Sequence, residues 1–532
     1  MGMYLNPDNK NFLRFVNTGK YVDKTLLIDV TNEHIDDPSS NFICISRPRR
    51  FGKSIAENML VAYYSKGAAS RELFSKFKIS ETKNFEKHLN KFNVLYIDLN
   101  AVNAVWQGLP CSERGESVIH FLNSIVCAEF KREFTDVEFG VYTSIAGYIQ
   151  NVYMQKNETF IIIIDEYDVL VREQVTEREL ETYRTFLNAL FKNTPLQPAI
   201  SLAYVTGILP IMKDKIQSKL NTFQPYTMLD ADEFSEFVGF TTDEVEALCK
   251  KYNCDFELCK SWYDGYKLNN FELYNPESVI KAVTKHKFKS YWSGTSTYQV
   301  VSEKIHMNFS GIKEAVVTML AGGRVNLDVG RYDNTMVDFK SKDDVFTFLI
   351  HLGYLAYNEE RKECYIPNRE IHEEWQKVVA DNDDYAETDK IIKASEQLLQ
   401  RTLAGDVEAV AAALDESHAH VTSNRTYNNE YGLQSAIYLA YIYALNGYTI
   451  VKELTTGKGF ADIVYIPFDK SKTALIVELK HNKSAETALS QIKEKCYFES
   501  LRNWHGDLLF VGINYDEKSK KHECKIEKYM KA

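Results

Sequence analysis

Arg47-Pro48-Arg49-Arg50-Phe51-Gly52-Lys53-Ser54 is a short basic loop between the apolar run Phe42 to Ser46 and the helical-looking stretch IAENMLVAYYSK. Strand, tight turn and helix form the context in which backbone N–H groups and a helix N-terminus wrap phosphate. Lys53 has the charge to neutralise β- and γ-phosphates, and the Ser54 hydroxyl can ligate Mg²⁺. Arg47 stands where such loops usually begin with Gly, so this loop must turn without it. Further along, four isoleucines run into Asp165-Glu166. A buried strand ending in two carboxylates has what NTP hydrolysis needs. Asp165 would hold the Mg²⁺ hydration shell and Glu166 would polarise the attacking water. An acidic turn after any buried strand looks the same; the order of the two motifs favours chemistry. Thr206, ending the next apolar run, lies where a γ-phosphate-sensing side chain would sit. A Thr satisfied at a strand end fits that position nearly as well.

A third constellation lies near the C-terminus. Asp462 sits in the strand-like GFADIVY, a turn runs from Pro467 to Lys472, and TALIVELK carries Glu478 and Lys480. Residues two apart share a face of a strand, so Glu478 and Lys480 point the same way. A hairpin would bring Asp462 alongside Glu478, with carboxylate oxygens within roughly 4–6 Å, close enough to share a cation. Two carboxylates and a lysine suit metal-dependent phosphodiester cleavage. The bland alternative is a surface Glu-Leu-Lys ending an edge strand. Downstream, a helix carries Gln491 and Lys495 on one face; upstream, another opens at Glu430.

Positioning these groups falls to recognisable elements. Phe42–Ser46, Asn93–Leu99, Thr159–Asp165 and Ala199–Thr206 are short apolar runs separated by helix-length segments, the pattern of a parallel sheet buried on both faces. From Phe234 to Val279 the pattern turns helical, then aromatic and turn-rich, and Phe346 to Ile371 reads as helix, Gly turn and hairpin. The polar stretch Val379 to Lys390 is the linker candidate, followed by a helical segment, Ile391 to Leu414, and a last unit from about Tyr427. A chain of 532 residues should hold about three or four domains. With 11 Pro and 24 Gly it is neither collagenous nor broadly disordered. No apolar run approaches the roughly 18–20 residues of a membrane span. No secretory signal is visible, and the nine scattered cysteines suit reduced thiols. A cytoplasmic protein with no membrane partner is therefore expected. A net charge of −11 argues against a broadly basic nucleic-acid coat. Val451 to Ala532, with 15 Lys/Arg against 12 Asp/Glu, still permits local phosphate contacts.

RPRRFGKS, with YVDKT before it (Tyr21 to Thr25), and then IIIIDEYD, VTGI, FVGFTTDEV, WYDGY, YNPESVI and IPNREI resemble, in this order and as far as about Ile371, the AAA-ATPase-like family of uncharacterised bacterial proteins. The resemblance implies a P-loop ATPase core followed by a helical lid and a winged-helix-like region, and in that family the RPRRFGKS form is usual. The nucleotide-binding set is then Arg49, Arg50, Phe51, Gly52, Lys53, Ser54, Asp165 and Thr206. Arg184, with Arg49 or Arg50, is a candidate for stabilising charge on a leaving phosphate. Trp262-Tyr263-Asp264-Gly265-Tyr266 either contacts nucleotide or couples the lid, or is a packed aromatic turn; the packed turn is favoured. From about Tyr427 to Phe510 the chain looks like the PD-(D/E)XK nuclease superfamily, in the version often fused behind this ATPase-like domain. That resemblance makes Asp462 and Glu478 metal ligands, Lys480 the catalytic lysine, Glu430 the first-helix acid and Gln491 a supporting helix residue. The usual proline before the first Asp is absent, and Tyr497 lies six residues after Gln491 where some branches have four.

The expected fold is α/β: a P-loop NTPase parallel sheet with helical lid and winged-helix-like region, plus a C-terminal α/β restriction-endonuclease-like domain. The expected boundaries are 1–230 for the core, 231–300 for the lid and aromatic motif, 301–378 for the winged-helix-like region, 379–426 for a helical linker and 427–532 for the nuclease-like domain. The expected function is ATP hydrolysis coupled to metal-dependent DNA cleavage. Glu166, Asp462, Glu478 and Lys480 would be catalytic, and Ser54, Asp165, Asp462 and Glu478 would be metal ligands. ATP and Mg²⁺ are the expected cofactors, with Mn²⁺ acceptable at the nuclease site. ATP and DNA are the expected partners, and self-association is left open. One competing class is an NTP-binding regulatory protein whose nuclease-like domain binds nucleic acid or protein without cutting. Another is an ATPase acting on protein partners. The intact Lys53, Ser54, Asp165, Glu166, Asp462, Glu478 and Lys480 favour the enzyme.

Overall fold

The computed structural model describes the chain apart from residues 1, 111, 113, 174, 211–221, 293–296, 308, 321, 332–338, 381–385, 422–429, 457–458, 468–470, 498–500, 502–503, 505 and 530–532. Two compact units divide it. The first comprises Met1–Tyr252, Gly265–Lys285 and Asn326–Cys364; the second comprises Asn253–Asp264, His286–Val325 and Tyr365–Ala532. Each unit contains one five-stranded sheet, and the strands of these two sheets are numbered β1–β10 in chain order.

In the first unit the sheet consists of β1 (Phe42–Ser46), β2 (Asn93–Asp98), β3 (Phe160–Asp165), β4 (Ile200–Gly207) and β5 (Gln224–Tyr226), in the order β2-β3-β4-β1-β5. Neighbouring strands all run parallel. Every residue of β1, β3 and β4 is buried, which is why these strands read as unbroken apolar runs. The order seats β4 between β1 and β3, so the carboxyl ends of all three meet. Ligands of open α/β sheets collect at such ends. A second layer is a small antiparallel sheet of Phe240–Thr241, Tyr266–Leu268 and Phe271–Tyr274 beside the helices Thr242–Tyr252 and Pro276–Lys285.

The expected helix, Gly turn and hairpin are present as Lys342–His351, Gly353 and the strands Ala356–Asn358 and Glu363–Tyr365. The stretch 301–378 does not stand as one body, however. Its part Asn326–Cys364 joins the first unit, and the flanks join the second. One tie is the Tyr266 hydroxyl, which donates to the Gly353 carbonyl at 2.7 Å.

The second unit's sheet consists of β6 (Tyr448–Thr456), β7 (Gly459–Pro467), β8 (Ala474–His481), β9 (Leu508–Asp516) and β10 (Lys521–Tyr529), stacked in sequence order. All neighbours are antiparallel except β8 and β9. A parallel pair needs a crossover, here made with the helix Ala485–Glu494. That helix approaches closely because β9 offers Gly512; a Cβ there would lie 2.4 Å from the Ala485 carbonyl oxygen. The helices Ala386–Ala404 and Val407–Val421 fall in the expected linker, of which residues 381–385 lie outside the described residues. Rather than bridging, both pack into this unit. Leu398, Leu399, Val410 and Leu414 are buried, the Tyr443 N–H donates to Ser395 Oγ at 2.9 Å, and Asp415 accepts from the His522 N–H at 2.8 Å. An amphipathic helix has to bury its apolar stripe somewhere; Val407–Val421 buries its own on the strand Lys521–Tyr529, and Ala386–Ala404 packs on Val407–Val421 and on the turn Ile442–Asn446. Among the described residues no helix is long and apolar enough to cross a membrane.

Candidate functional site

The basic loop after β1 closes onto the helix Lys53–Tyr64 through Gly52, whose φ of 96° lies in the left-handed region, where a β-carbon is disfavoured. Arg47, in the usual Gly position, is wholly buried. Its Nη1 donates to the carbonyls of Ser46, Tyr226 and Thr227 at 2.9, 3.1 and 3.0 Å. Arg47 thus pins the loop to the edge strand β5, and burial pulls its pKa down to about 10. Lys53 is buried, with Nζ donating to the Arg47 and Pro48 carbonyls at 2.9 Å each; burial lowers its pKa. Ser54 is exposed. Arg50 pairs with Glu277 at 3.4 Å, and the buried Phe51 packs edge-to-face on Tyr266 with centroids 5.3 Å apart. Tyr266 belongs to WYDGY and Glu277 to YNPESVI. The aromatic turn is therefore packed, and what its Tyr266 packs against is Phe51 of the loop Arg47–Ser54.

Asp165 ends β3 with 2% exposure, and its Oδ1 accepts from Thr206 Oγ1 at 2.9 Å. Thr206 is thus turned towards the carboxylate it orients. Glu166 has a φ of 51° and pairs through Oε2 with Arg172 Nη2 at 2.6 Å. Arg172 Nε also lies 3.1 Å from Asp168 Oδ2, which accepts from the N–H groups of Ile208 and Leu209 at 3.1 and 2.9 Å. The DEYD turn therefore docks on the end of β4. Gly207 makes room for it, since a Cβ there would lie 2.6 Å from Tyr167 Cε1. Arg49 is half-buried beside Arg172, Glu166 and Asp168; burial, then the Arg172 charge, lowers its pKa. Arg184 instead pairs with Glu177 and Glu181 of its own helix at 2.9 and 3.0 Å.

Sequence reasoning passed over Glu57, Asp168 and Arg172. Glu57 is 0% exposed, and neither carboxyl oxygen is in hydrogen-bond geometry with a partner. It interacts with Asp165 and Thr206, and burial, then the Asp165 charge, raises its pKa well above the carboxylate range. The available signal was an acid one helical turn after Ser54 in an otherwise apolar helix.

In the second unit β7 and β8 pair as expected, Ile463 opposite Val477. The ladder stops there because Asp462 turns its carboxylate across: Oδ2 accepts from the Leu479 N–H at 2.7 Å. The Asp462 carbonyl accepts from Gln434 Nε2 at 2.9 Å. Glu478 and Lys480, 1% and 6% exposed, share one face of β8, and Lys480 Nζ donates to Glu478 Oε1 at 2.8 Å. Gln491, on the crossover helix, donates to the same Oε1 and to Tyr497 Oη, the latter at 3.0 Å. The spacing of six residues is absorbed locally. The helix ends at Glu494, and Cys496 adopts a φ of 53°, folding Tyr497 back. Glu430 opens its helix, but its side chain lies outside the described residues. Burial, then the Asp462 charge, raises the Glu478 pKa from 4.5 to about 7.

The donor sets fit divalent cations. Glu478 Oε2 is buried with no hydrogen-bond partner, beside Asp462. Among the described residues no group of three His, Cys, Asp or Glu side chains converges to cage an ion. Mg²⁺ does not ask for one: it commonly takes one or two carboxylates and fills the rest of its shell with water and phosphate oxygens.

Residues 10–217 match the family described as a predicted AAA-ATPase, and residues 428–525 match the PD-(D/E)XK nuclease superfamily. The chain thus joins an AAA-ATPase-like part to a C-terminal part of that superfamily, in an α/β architecture, as the sequence resemblance implied. A relative from Azotobacter chroococcum mcd 1, described as an uncharacterized protein in the vnfD 5' region, is 20% identical over 94% of this chain and 93% of its own length. Among solved structures, the Aeropyrum pernix ORC2 protein in ADPNP–ADP complexes is 11% identical, covering 67% of this chain and 95% of that one with a TM-score of 0.33. Drosophila ORC bound to DNA is 12% identical, covering 68% and 87%, with a TM-score of 0.21.

Proposed function

We propose that the chain hydrolyses ATP at the loop Arg47–Ser54 and cleaves DNA at Asp462, Glu478 and Lys480. The observation that carries the second half is the orphaned, buried Oε2 of Glu478. A carboxylate oxygen enclosed beside a second carboxylate and a lysine is costly unless a cation or a proton completes it. Asp462 and Glu478 would hold the cation, which when bound supplies water activation and charge neutralisation at phosphate. Lys480, 2.8 Å from Glu478, would orient or deprotonate the nucleophile. Gln491 fixes the orientation of Glu478. At the first site Lys53 would exchange its two loop carbonyls for phosphate oxygens, Asp165 and Ser54 would hold Mg²⁺, and Glu166 would polarise water.

The test is a nuclease assay on single-stranded, double-stranded and branched DNA with Mg²⁺ or Mn²⁺, in ATP, ADP or no nucleotide. Metal-dependent cleavage that differs with nucleotide supports the full reading. No cleavage of any form, with DNA bound, would favour a binding module. Lys53→Ala with unchanged ATP affinity and turnover would remove the ATPase half.

A further inference from the structure

Glu57 is the most anomalous acid in the first unit. It sits on the helix Lys53–Tyr64, three residues after Ser54, and so shares a helix face with it. The face looks onto the ends of β3 and β4, where Asp165 and Thr206 stand. The side chain is 0% exposed, and neither oxygen has a hydrogen-bond partner. Asp165 beside it is 2% exposed. The nearby cation, Lys53, directs its ammonium at two loop carbonyls, and the Thr206 hydroxyl donates to Asp165. Two enclosed carboxyl groups therefore lie side by side and share the Thr206 hydroxyl as a neighbour, which in hydrogen-bond geometry donates to Asp165. Buried polar atoms are nearly always partnered, and an orphan in a folded protein calls for an unseen ion or water. Packing does not require an acid here, because an apolar side chain would fill the position at lower desolvation cost.

We propose that Glu57 is a second acidic ligand, beside Asp165, for the divalent cation that accompanies the bound nucleotide. This rests on the reading of Arg47–Ser54 as an ATP site. One helix face then carries both Ser54 and Glu57, β3 ends in Asp165, and Thr206 holds Asp165 in place. The set has two carboxylates and a hydroxyl, within what Mg²⁺ takes from protein when phosphate oxygens and water complete its shell.

The experiment compares the full chain with its Glu57→Gln variant, which keeps the shape and removes the charge. Affinity for a fluorescent ATP analogue is measured in saturating Mg²⁺ and in EDTA. The expected result is an unchanged affinity in EDTA and a roughly tenfold loss of the strengthening that Mg²⁺ confers, within the 10–100-fold range seen for changes around a metal. Equal strengthening by Mg²⁺ in both proteins overturns the inference while leaving the ATP site intact. An equal loss in EDTA and in Mg²⁺ also overturns it, because the effect is then structural. If the wild-type chain binds no nucleotide in either condition, the ATP-site reading falls and the inference with it. Should Glu57→Gln not fold, Glu57→Ala, which also removes the carboxylate, is measured by the same criterion.

Discussion

Glu166 and Glu478 each lie against a basic side chain, on very different backbones. Glu166 occupies a turn at φ 51°, has a side chain 30% exposed, and is held by an arginine six residues on. Glu478 is inside a strand, has a side chain 2% exposed, and is held by a lysine two residues on. The strand pair follows from period-2 geometry and needs little else. The turn pair depends on the short helix Val169–Arg172 and on Asp168 anchoring that turn to the end of β4. The turn-borne acid can be re-aimed by small backbone changes, whereas the strand-borne acid moves only with its sheet. On the proposed function, nucleotide turnover would gain from the first arrangement and a fixed cation pair from the second.

The sharpest way to break this comparison is to remove one acid at each site. Asp462→Asn should lower metal-dependent cleavage by more than about 100-fold, beyond the loss typical of residues that merely support a metal ligand, with DNA-free ATP turnover unchanged. Glu166→Gln should do the converse, holding ATP while hydrolysing it slowly. Asp462→Asn losing nucleotide affinity along with cleavage would sink the assignment of two separate sites. Next in size, Gln491→Leu should cost cleavage about 10–100-fold through misorientation of Glu478. Normal rates in that variant would make the contact incidental.

Two glycines sharpen the contrast between backbone and packing. Gly512→Ala should destabilise the C-terminal unit by about 1–3 kcal/mol through overpacking against Ala485. Gly52→Ala meets no atom within 4 Å, and its cost of about 1–2 kcal/mol comes from the left-handed backbone alone. Denaturant melts of the two variants, with nucleotide binding as a second readout, separate them: Gly52→Ala should spoil the loop and Gly512→Ala the sheet.

The smallest effect expected is on pH dependence. Burial, then the Asp462 charge, pushes the Glu478 pKa up from 4.5 to about 7, so between those values the folded chain keeps a proton that the unfolded chain has released. Stability contributed by this group therefore falls as pH rises through the window. Mn²⁺ should offset the loss, raising the melting temperature of the C-terminal unit by more at pH 8 than at pH 5.5. Equal shifts at both pH values would mean that the cation does not bind at Glu478.

Much of the candidate chemistry was legible because it rides on regular elements. The apolar runs of β1, β3 and β4 announced a buried parallel sheet, and Glu478-x-Lys480 announced a shared face. Arg47 and Tyr497 depart from the usual spacing, and local geometry shows how each departure is accommodated. An arginine replaces Gly because three carbonyls surround its guanidinium, and a tyrosine two positions late still arrives because Cys496 turns the chain. The helices of the expected linker belong to the second unit, which the sequence alone does not reveal because a polar helix with an apolar stripe reads alike whether or not another element lies beneath it.

The sequence by itself determined which chemical groups exist, in what order, and on which face of strand or helix each lies. It does so because periodicity and turn residues act over a few positions at a time. Only tertiary structure decided that Glu57 is enclosed beside Asp165, that Arg172 reaches Glu166, and that Gln491 meets Glu478. Each of those depends on sheet order and crossover geometry, which bring together residues that no local rule connects. Burial then makes the outcome consequential: a carboxyl removed from water has to find a proton, a donor or a cation.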